Sequence, residues 1–155
     1  MEVCVSKKKK VIIALETLLS GYYCPILFAG LAYLITASPE FVCEFKNQLL
    51  RVLELHVENL EGYSQRAFYW AAIAKPLAQK EPLRVCQAAI KACTSHPNFF
   101  QLGINPHMFP LVSLLELLWD DPQARACLIK AAQTGQVGRQ LQSWVKHKCQ
   151  RRKLQ

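Results

Sequence analysis

The sequence predicts a single all-α domain over residues 1–155. Apolar residues recur at the three- and four-residue spacing of amphipathic helices, start and stop signals divide the chain into short segments, and no convincing alternating run of β-branched residues indicates a strand. With 155 residues, 52% of them hydrophobic, the chain can bury a substantial core without disulfides or metals. That apolar content excludes wholesale disorder.

Proline and glycine mark the predicted helix ends. Proline is tolerated at the first helical position, a preceding Ser, Asn or Asp caps that end, and glycine often follows the last turn. The start signals are Ser38-Pro39, Asn105-Pro106 and Asp121-Pro122, with Cys24-Pro25 and Glu81-Pro82 as weaker versions, and the stop signals are Gly21, Gly62, Gly103 and Gly135. They predict seven to eight helices, over residues 8–20, 25–37, 39–61, 64–75, 82–95, 110–119, 122–134 and 137–153.

The first two segments raise the question of a membrane span. Residues 17–37 contain no charged side chain and lie shortly after four lysines, a pattern typical of a signal anchor. However, Glu16 interrupts the apolar run, and Gly21 and Pro25 split it into two helices. We therefore expect a buried helical hairpin here, with membrane contact by residues 11–37 as the alternative.

The later segments are amphipathic helices. Their short connections favour antiparallel hairpins, whose first helices begin near Lys8, Pro39, Pro82 and Pro122. The apolar positions that we expect in the core are Val42, Phe45, Leu49, Leu53, Val57 and Leu60 in the third segment, Val85, Ala88, Ala89, Ala92 and Cys93 in the fifth, and Leu111, Leu114, Leu115, Leu118 and Trp119 in the sixth.

Residues 81–92 and 121–132 are the two most similar pieces of the chain. Each opens with an acidic residue and proline and carries an arginine, Arg84 or Arg125, within four positions, although the two arginines are one position out of register. On these residues the sequence resembles HEAT-type repeats over about two segments. The resemblance implies a small solenoid or irregular helical stack that serves as a binding scaffold, and a globular helical bundle with similar capping is the alternative.

The cysteines and histidines do not indicate a metal site. The seven cysteines include no C-x-x-C pair, so they lack the ligand spacing of a zinc module, and the four histidines are scattered. Cys86, Cys93 and Cys127 lie among apolar residues, which favours free thiols in a reducing intracellular compartment, nucleus or cytoplasm. No Gly-rich phosphate loop, G-x-S-x-G or H-E-x-x-H occurs, so we expect a non-enzyme without cofactor or metal.

Two aromatic clusters are candidate partner-binding residues. Phe68, Tyr69 and Trp70 are consecutive, so on a helix they cannot all face one core, and at least one should be exposed or lie at an interface. The second cluster is Phe99-Phe100 with Phe109, in a loop-rich stretch. It forms a partner-binding patch or, alternatively, closes the end of the core.

The positive charge belongs to the two ends of the chain. The formal net charge is +8, yet the part between residues 10 and 139 is close to neutral. A C-terminal helix can dock through Val137, Leu141, Trp144, Val145 and Cys149 and present its basic residues to solvent. The candidate polyanion-binding residues are Lys7, Lys8, Lys9, Lys10, Arg139, Lys146, Lys148, Arg151, Arg152 and Lys153.

These features lead to two functional hypotheses. The first is a non-catalytic helical adaptor or subunit of a larger complex, which binds a protein partner through its aromatic surface. The second is a nucleic-acid-binding protein whose basic ends, residues 1–10 and 146–155, bind phosphates without sequence specificity. The basic residues 146–153 also resemble a nuclear-import signal, and a solvated tail that aids solubility is the remaining alternative.

Overall fold

Nine α-helices and one short 3₁₀-helix make up the part of the chain that the computed structural model describes, which is residues 2–59, 65–95, 109–135 and 137–154. Side chains are described for residues 7–58, 68–95, 112–135 and 137–151. These ranges contain no strand, which confirms the all-α prediction. In chain order the helices are α1 (Glu2–Leu19), α2 (Pro25–Ala37), α3 (Glu40–Glu44), α4 (Lys46–Leu55), the 3₁₀-helix Val57–Asn59, α5 (Gln65–Ala78), α6 (Pro82–Ser95), α7 (Phe109–Asp120), α8 (Pro122–Thr134) and α9 (Arg139–Leu154).

The helices pack in two rows. The first row is α1, α4, α6 and α8, each of which contacts the next, and the second row is α2, α5 and α7. The second row continues with α9, because Trp144 and Lys148 of α9 contact Trp119 and Glu116 of α7. Each first-row helix also packs against the second-row helix that follows it, so the fold is a stack of helical hairpins, as predicted. The finer resemblance to HEAT repeats stays a prediction.

Several predicted helix ends occur as expected. Asp121 caps α8, because its carboxylate accepts a hydrogen bond of 2.9 Å from the amide of Ala124. Gly135 ends that helix with a positive φ of 73°, and Gly21 follows α1 with a φ of 99°. Residues other than glycine rarely adopt such backbone angles. The signals at Gly62, Gly103 and Asn105-Pro106 lie outside the described residues.

Three of the predicted segments have bounds that differ by more than two residues. The first, predicted over residues 8–20, begins at Glu2 and ends at Leu19. The single helix predicted over residues 39–61 is interrupted at Phe45, where φ is −114° and ψ is 25°, and again at His56. No glycine or proline marks either break, so tertiary packing rather than local sequence sets them. The segment predicted over residues 64–75 continues through Pro76 to Ala78, because Leu77 and Ala78 are buried in the core and hold the last turn in place.

The core runs between the two rows. The predicted apolar faces are buried wherever their side chains are described, and the hairpin α1–α2 contributes to the same cluster. Leu60 and Leu111 lie outside the described side chains. Within the described part of the chain, no helix combines the length and the hydrophobicity that a bilayer-spanning segment requires. The largest fully buried side chains are Trp70, Phe28, Leu18, Leu31, Ile35, Leu49, Leu50, Leu53 and Ile73.

Candidate functional site

The first predicted aromatic cluster divides between the core and the surface. Trp70 is fully buried and donates a hydrogen bond of 3.1 Å from its indole nitrogen to the carbonyl of Leu53 on α4. Trp70 is therefore a core residue, and its prediction as a partner-binding residue is wrong. Consecutive residues of a helix point in directions about 100° apart, so Phe68, Tyr69 and Trp70 face different sides of α5, and Trp70 faces the core. Phe68 and Tyr69 are half-buried and stack edge to face, with ring centroids 5.5 Å apart.

Phe68 and Tyr69 lie at one end of a row of side chains on the outward side of α5. Ala72 lies four residues after Phe68, and Pro76 lies four residues after Ala72, so these side chains share one face of the helix. The opposite face carries Trp70 and Ile73, both fully buried. From Phe68 to Pro76 this face of α5 thus carries half-buried aromatic and apolar side chains, of which Tyr69 and Ala72 also pack against the core.

A groove lies beside this face, where α2, α5 and α7 meet. It has a volume of about 480 Å³ and is open to solvent. We call it the α5 groove, and its lining residues are Ile35, Thr36, Pro39, Ala72, Lys75, Pro76, Gln79 and Ser113. Because its walls come from three helices that are not consecutive in the sequence, no local pattern could have predicted it.

Two polar features of the α5 groove follow from the sequence of α5. Pro76 has no N–H, so the usual helical hydrogen bond to the carbonyl oxygen of Ala72 cannot form at this turn. Lys75 is exposed and forms no ion pair with a described residue. The groove therefore combines apolar walls with the polar side chains of Thr36, Gln79 and Ser113 and the positive charge of Lys75.

The basic helix α9 is docked as predicted. Val137, Leu141 and Val145 are buried, while Arg139, Lys146 and Arg151 are exposed. α9 contains no acidic residue, so this exposed face is uniformly positive.

Lys148 differs from its basic neighbours on α9. Its ammonium lies 2.5 Å from the carboxylate of Glu116 and 5.3 Å from the ring centroid of Trp144, and only 18% of the side chain is exposed. Lys148 therefore helps to fix α9 on α7 and is largely removed from the predicted polyanion-binding surface. The side chains of Arg152 and Lys153 lie outside the described residues.

The N-terminal lysines lie at the other end of the stack. α1 packs against α2 and α4, whereas α9 packs against α8 and α7, so the helices between them separate the two predicted basic segments. Lys8 is paired with Glu44 at 2.5 Å, and Lys9 and Lys10 are exposed. A short stretch of polyanion that binds the N-terminal lysines therefore does not also contact the basic residues of α9.

The side chains of the second aromatic cluster lie outside the described residues. Phe99 and Phe100 lie among residues 96–108, and Phe109 begins α7 but its side chain is not described. Their role stays a prediction.

Among the described residues, two thiols, Cys86 and Cys93, and one histidine, His56, are buried in the core. No disulfide joins described cysteines, and burial raises the pKa of Cys86 to about 12 and that of Cys93 well above its ordinary value. His56, which the sequence did not single out, is fully buried between α1 and α4. Among the described residues no group of three or more His, Cys, Asp or Glu side chains is arranged to hold a metal ion.

Comparison with known proteins identifies no relative, since no family model, no curated protein and no solved structure matches the chain. The functional argument therefore depends on the surfaces described above.

Proposed function

We propose that the protein is a non-catalytic helical adaptor that binds a protein partner in the α5 groove. The observation that carries this proposal is the continuous outward face of α5, where the half-buried aromatic pair Phe68 and Tyr69 leads into the apolar groove. Aromatic side chains at such positions supply large contact area at low entropic cost, which is typical of protein interfaces.

The polar features of the α5 groove indicate what the partner presents. An apolar segment fits the walls formed by Ala72 and Pro76, and a carboxylate beside that segment would pair with Lys75. We therefore expect a partner segment that combines apolar residues with an acidic one.

Affinity purification of the full chain tests this proposal, with and without nuclease. The informative variant is Lys75→Glu, and the matched control is Lys91→Glu, which changes an exposed lysine on α6 in the same way. We expect protein partners that survive nuclease and Lys91→Glu but are lost with Lys75→Glu. Equal recovery with both variants, or loss of all partners after nuclease, contradicts an adaptor that uses this groove.

A second candidate function is supported by the exposed basic face of α9. Arg139, Lys146 and Arg151 form a positive surface without a compensating acid on the helix, and such a surface binds phosphates with release of counterions. We propose this face, rather than both ends together, as the nucleic-acid-binding surface of this second candidate function. The basic residues 146–153 fit a nuclear protein, and the free thiols fit a reducing compartment.

Fluorescence anisotropy with a labelled single-stranded oligonucleotide tests the second candidate at increasing salt. The double variant Lys146→Glu/Arg151→Glu should abolish binding, whereas Lys80→Glu/Lys91→Glu, at exposed positions elsewhere, should preserve most of it. Affinity that does not depend on salt, or an equal loss in both double variants, contradicts binding by α9.

A further inference from the structure

A cavity lies where α1, α4 and α6 meet, on the first row of the stack. It has a volume of about 450 Å³, is open to solvent, and is lined by Leu19, Asn47, Gln48, Arg51 and Arg84. We call it the α4 pocket. The α5 groove is formed by helices of the second row, and the core runs between the two rows, so the pocket and the groove are separate surfaces.

One side of α4 supplies most of the polar lining of this pocket. Arg51 lies four residues after Asn47 and three after Gln48, so these side chains share one side of the helix. All three are exposed, and none forms an ion pair or a side-chain hydrogen bond with a described residue. Their N–H donors are therefore available to a ligand.

Arg84 lines the α4 pocket from α6 and is held in a fixed orientation. Its Nε and Nη2 groups donate hydrogen bonds of 3.1 and 2.9 Å to the two carboxylate oxygens of Glu54 on α4. This bidentate pair occupies one edge of the planar guanidinium and leaves the N–H groups of Nη1 unused by Glu54. The pocket thus contains one oriented guanidinium beside that of Arg51.

The charges around the α4 pocket favour an anion. No acidic side chain lines it. Glu54 is held by its pair with α6, and Glu81 is paired with Lys46 at 3.1 Å. Glu16 of α1 is exposed and does not line the pocket. The positive charge of Arg51 therefore has no acidic partner among the described residues.

From this arrangement we propose that the α4 pocket binds the phosphoryl group of a small phosphorylated molecule. Guanidinium groups match the spacing of phosphate oxygens, and the donors that line the pocket come from two helices, so they approach an anion from more than one direction. A tetrahedral phosphoryl group presents acceptors in several directions, whereas a carboxylate presents its two oxygens in one plane. The donor set therefore suits a phosphoryl group better than a carboxylate.

The size of the α4 pocket indicates a ligand larger than a bare anion. Sites for small molecules typically have volumes of about 300–1,000 Å³, and a phosphate group fills only part of the volume present here. Leu19, half-buried at the end of α1, provides an apolar contact for an organic part. Because the pocket is open and Glu54 compensates Arg84, we expect inorganic phosphate alone to bind with a dissociation constant in the millimolar range.

A nuclear magnetic resonance titration of the isotope-labelled full chain with inorganic phosphate, at constant ionic strength, tests the proposal. We expect saturable shifts of the backbone amides of residues 47–51 and at least tenfold weaker binding in Arg51→Gln. Lys91→Gln removes the same charge at an exposed position of α6 and should change the affinity less than twofold. The spectra also establish that both variants remain folded. A wild-type chain without saturable shifts, or equal weakening in the two variants, overturns the site.

Phenyl phosphate and acetate distinguish the parts of the ligand that the pocket recognises. Phenyl phosphate should bind at least threefold more tightly than inorganic phosphate, because its ring contacts Leu19, and acetate should bind more weakly than either. Equal affinities for phenyl phosphate and inorganic phosphate overturn a small-molecule ligand with an organic part. Acetate that binds as tightly as phosphate overturns the preference for a phosphoryl group.

The oligonucleotide assay separates this site from the basic face of α9. Arg51→Gln should leave oligonucleotide binding unchanged, because Arg51 lies on α4 and the α4 pocket does not include α9. If Arg51→Gln instead abolishes oligonucleotide binding and leaves the affinity for phenyl phosphate unaffected, Arg51 contacts a nucleic-acid backbone. That result overturns a site for a small phosphorylated molecule.

Discussion

His56 donates a hydrogen bond of 2.8 Å from Nε2 to the carbonyl oxygen of Leu18, which joins the end of α4 to the last turn of α1. The last carbonyls of a helix lack partners within the helix, and the carbonyl oxygen of Leu18 accepts both this bond and one of 3.2 Å from the amide of Gly21. The ring is fully buried and lies against Tyr23 and Phe28, with centroid distances of 5.5 and 6.1 Å. His56 therefore helps to close the first hairpin onto α4.

The environment of His56 predicts a loss of stability at acidic pH. Burial lowers the pKa of His56 below its ordinary value of 6.5, and the hydrogen bond to Leu18 offsets only part of that effect. In the unfolded chain the ring binds a proton as the pH falls through 6.5, whereas in the folded protein it does so only at lower pH. The free energy of unfolding should thus decrease as the pH falls from 7.5 towards 5, with the full contribution of this group present above 6.5.

Urea unfolding at several pH values checks this effect, with His56→Gln as the control. The glutamine amide can still donate to Leu18 but does not titrate, so the variant should lose less stability than the wild type between pH 7.5 and 5. Equal pH dependence of the two proteins would show that other groups are responsible.

Trp70 has a similar role at the end of α4. Its indole N–H binds the carbonyl of Leu53 in the last turn of that helix, and its ring is fully buried. Trp70→Ala should lower the free energy of unfolding by about 3–5 kcal/mol, because it leaves a large cavity and an unsatisfied carbonyl. Trp70→Phe retains most of the apolar contact and should cost less. Denaturant titration monitored by circular dichroism measures both values.

The contrast with Phe68 distinguishes a core role from a surface role. Phe68 is half-buried on the other side of α5, so Phe68→Ala should cost clearly less stability than Trp70→Ala. If Trp70→Ala left the unfolding midpoint unchanged, the indole could not be packed as the structure describes.

Most of the helical layout could be predicted from the sequence, because its determinants are local. Asp121 followed by Pro122 specifies a helix start within a few residues, and the glycine at 135 specifies its end. The apolar spacing of α9 likewise predicts which side docks, and Val137, Leu141 and Val145 are buried as expected. Each of these signals acts over one or two turns and does not depend on distant contacts.

The features that were not predicted depend on contacts between distant residues. The break at Phe45 and the continuation of α5 through Pro76 are imposed by core packing, and neither carries a local signal of its own. Lys148 could not be distinguished from its basic neighbours until Glu116 and Trp144 were found beside it. The α5 groove exists only because three non-consecutive helices meet.

Cysteine reactivity provides a test of the core that is independent of mutation. Cys43 is exposed, whereas Cys86 and Cys93 are buried and have raised pKa values because burial disfavours the thiolate. Since the thiolate is the reactive form, iodoacetamide should label Cys43 rapidly in the native protein and label Cys86 and Cys93 only after unfolding. Peptide mass spectrometry after timed alkylation measures the order, and native labelling of Cys86 as fast as Cys43 would contradict the packing of α6 against α8.

The last prediction separates two helix starts that have the same sequence signal. Ser38-Pro39 and Asp121-Pro122 both predict a capped start, but only Asp121 makes a side-chain capping bond, with the amide of Ala124, among the described residues. Asp121→Ala should therefore lower the free energy of unfolding by about 1 kcal/mol. Ser38→Ala should change it by only a few tenths, because no capping bond is lost. Chemical unfolding of the two variants side by side measures the difference, and equal losses would show that Ser38 caps its helix as effectively as Asp121.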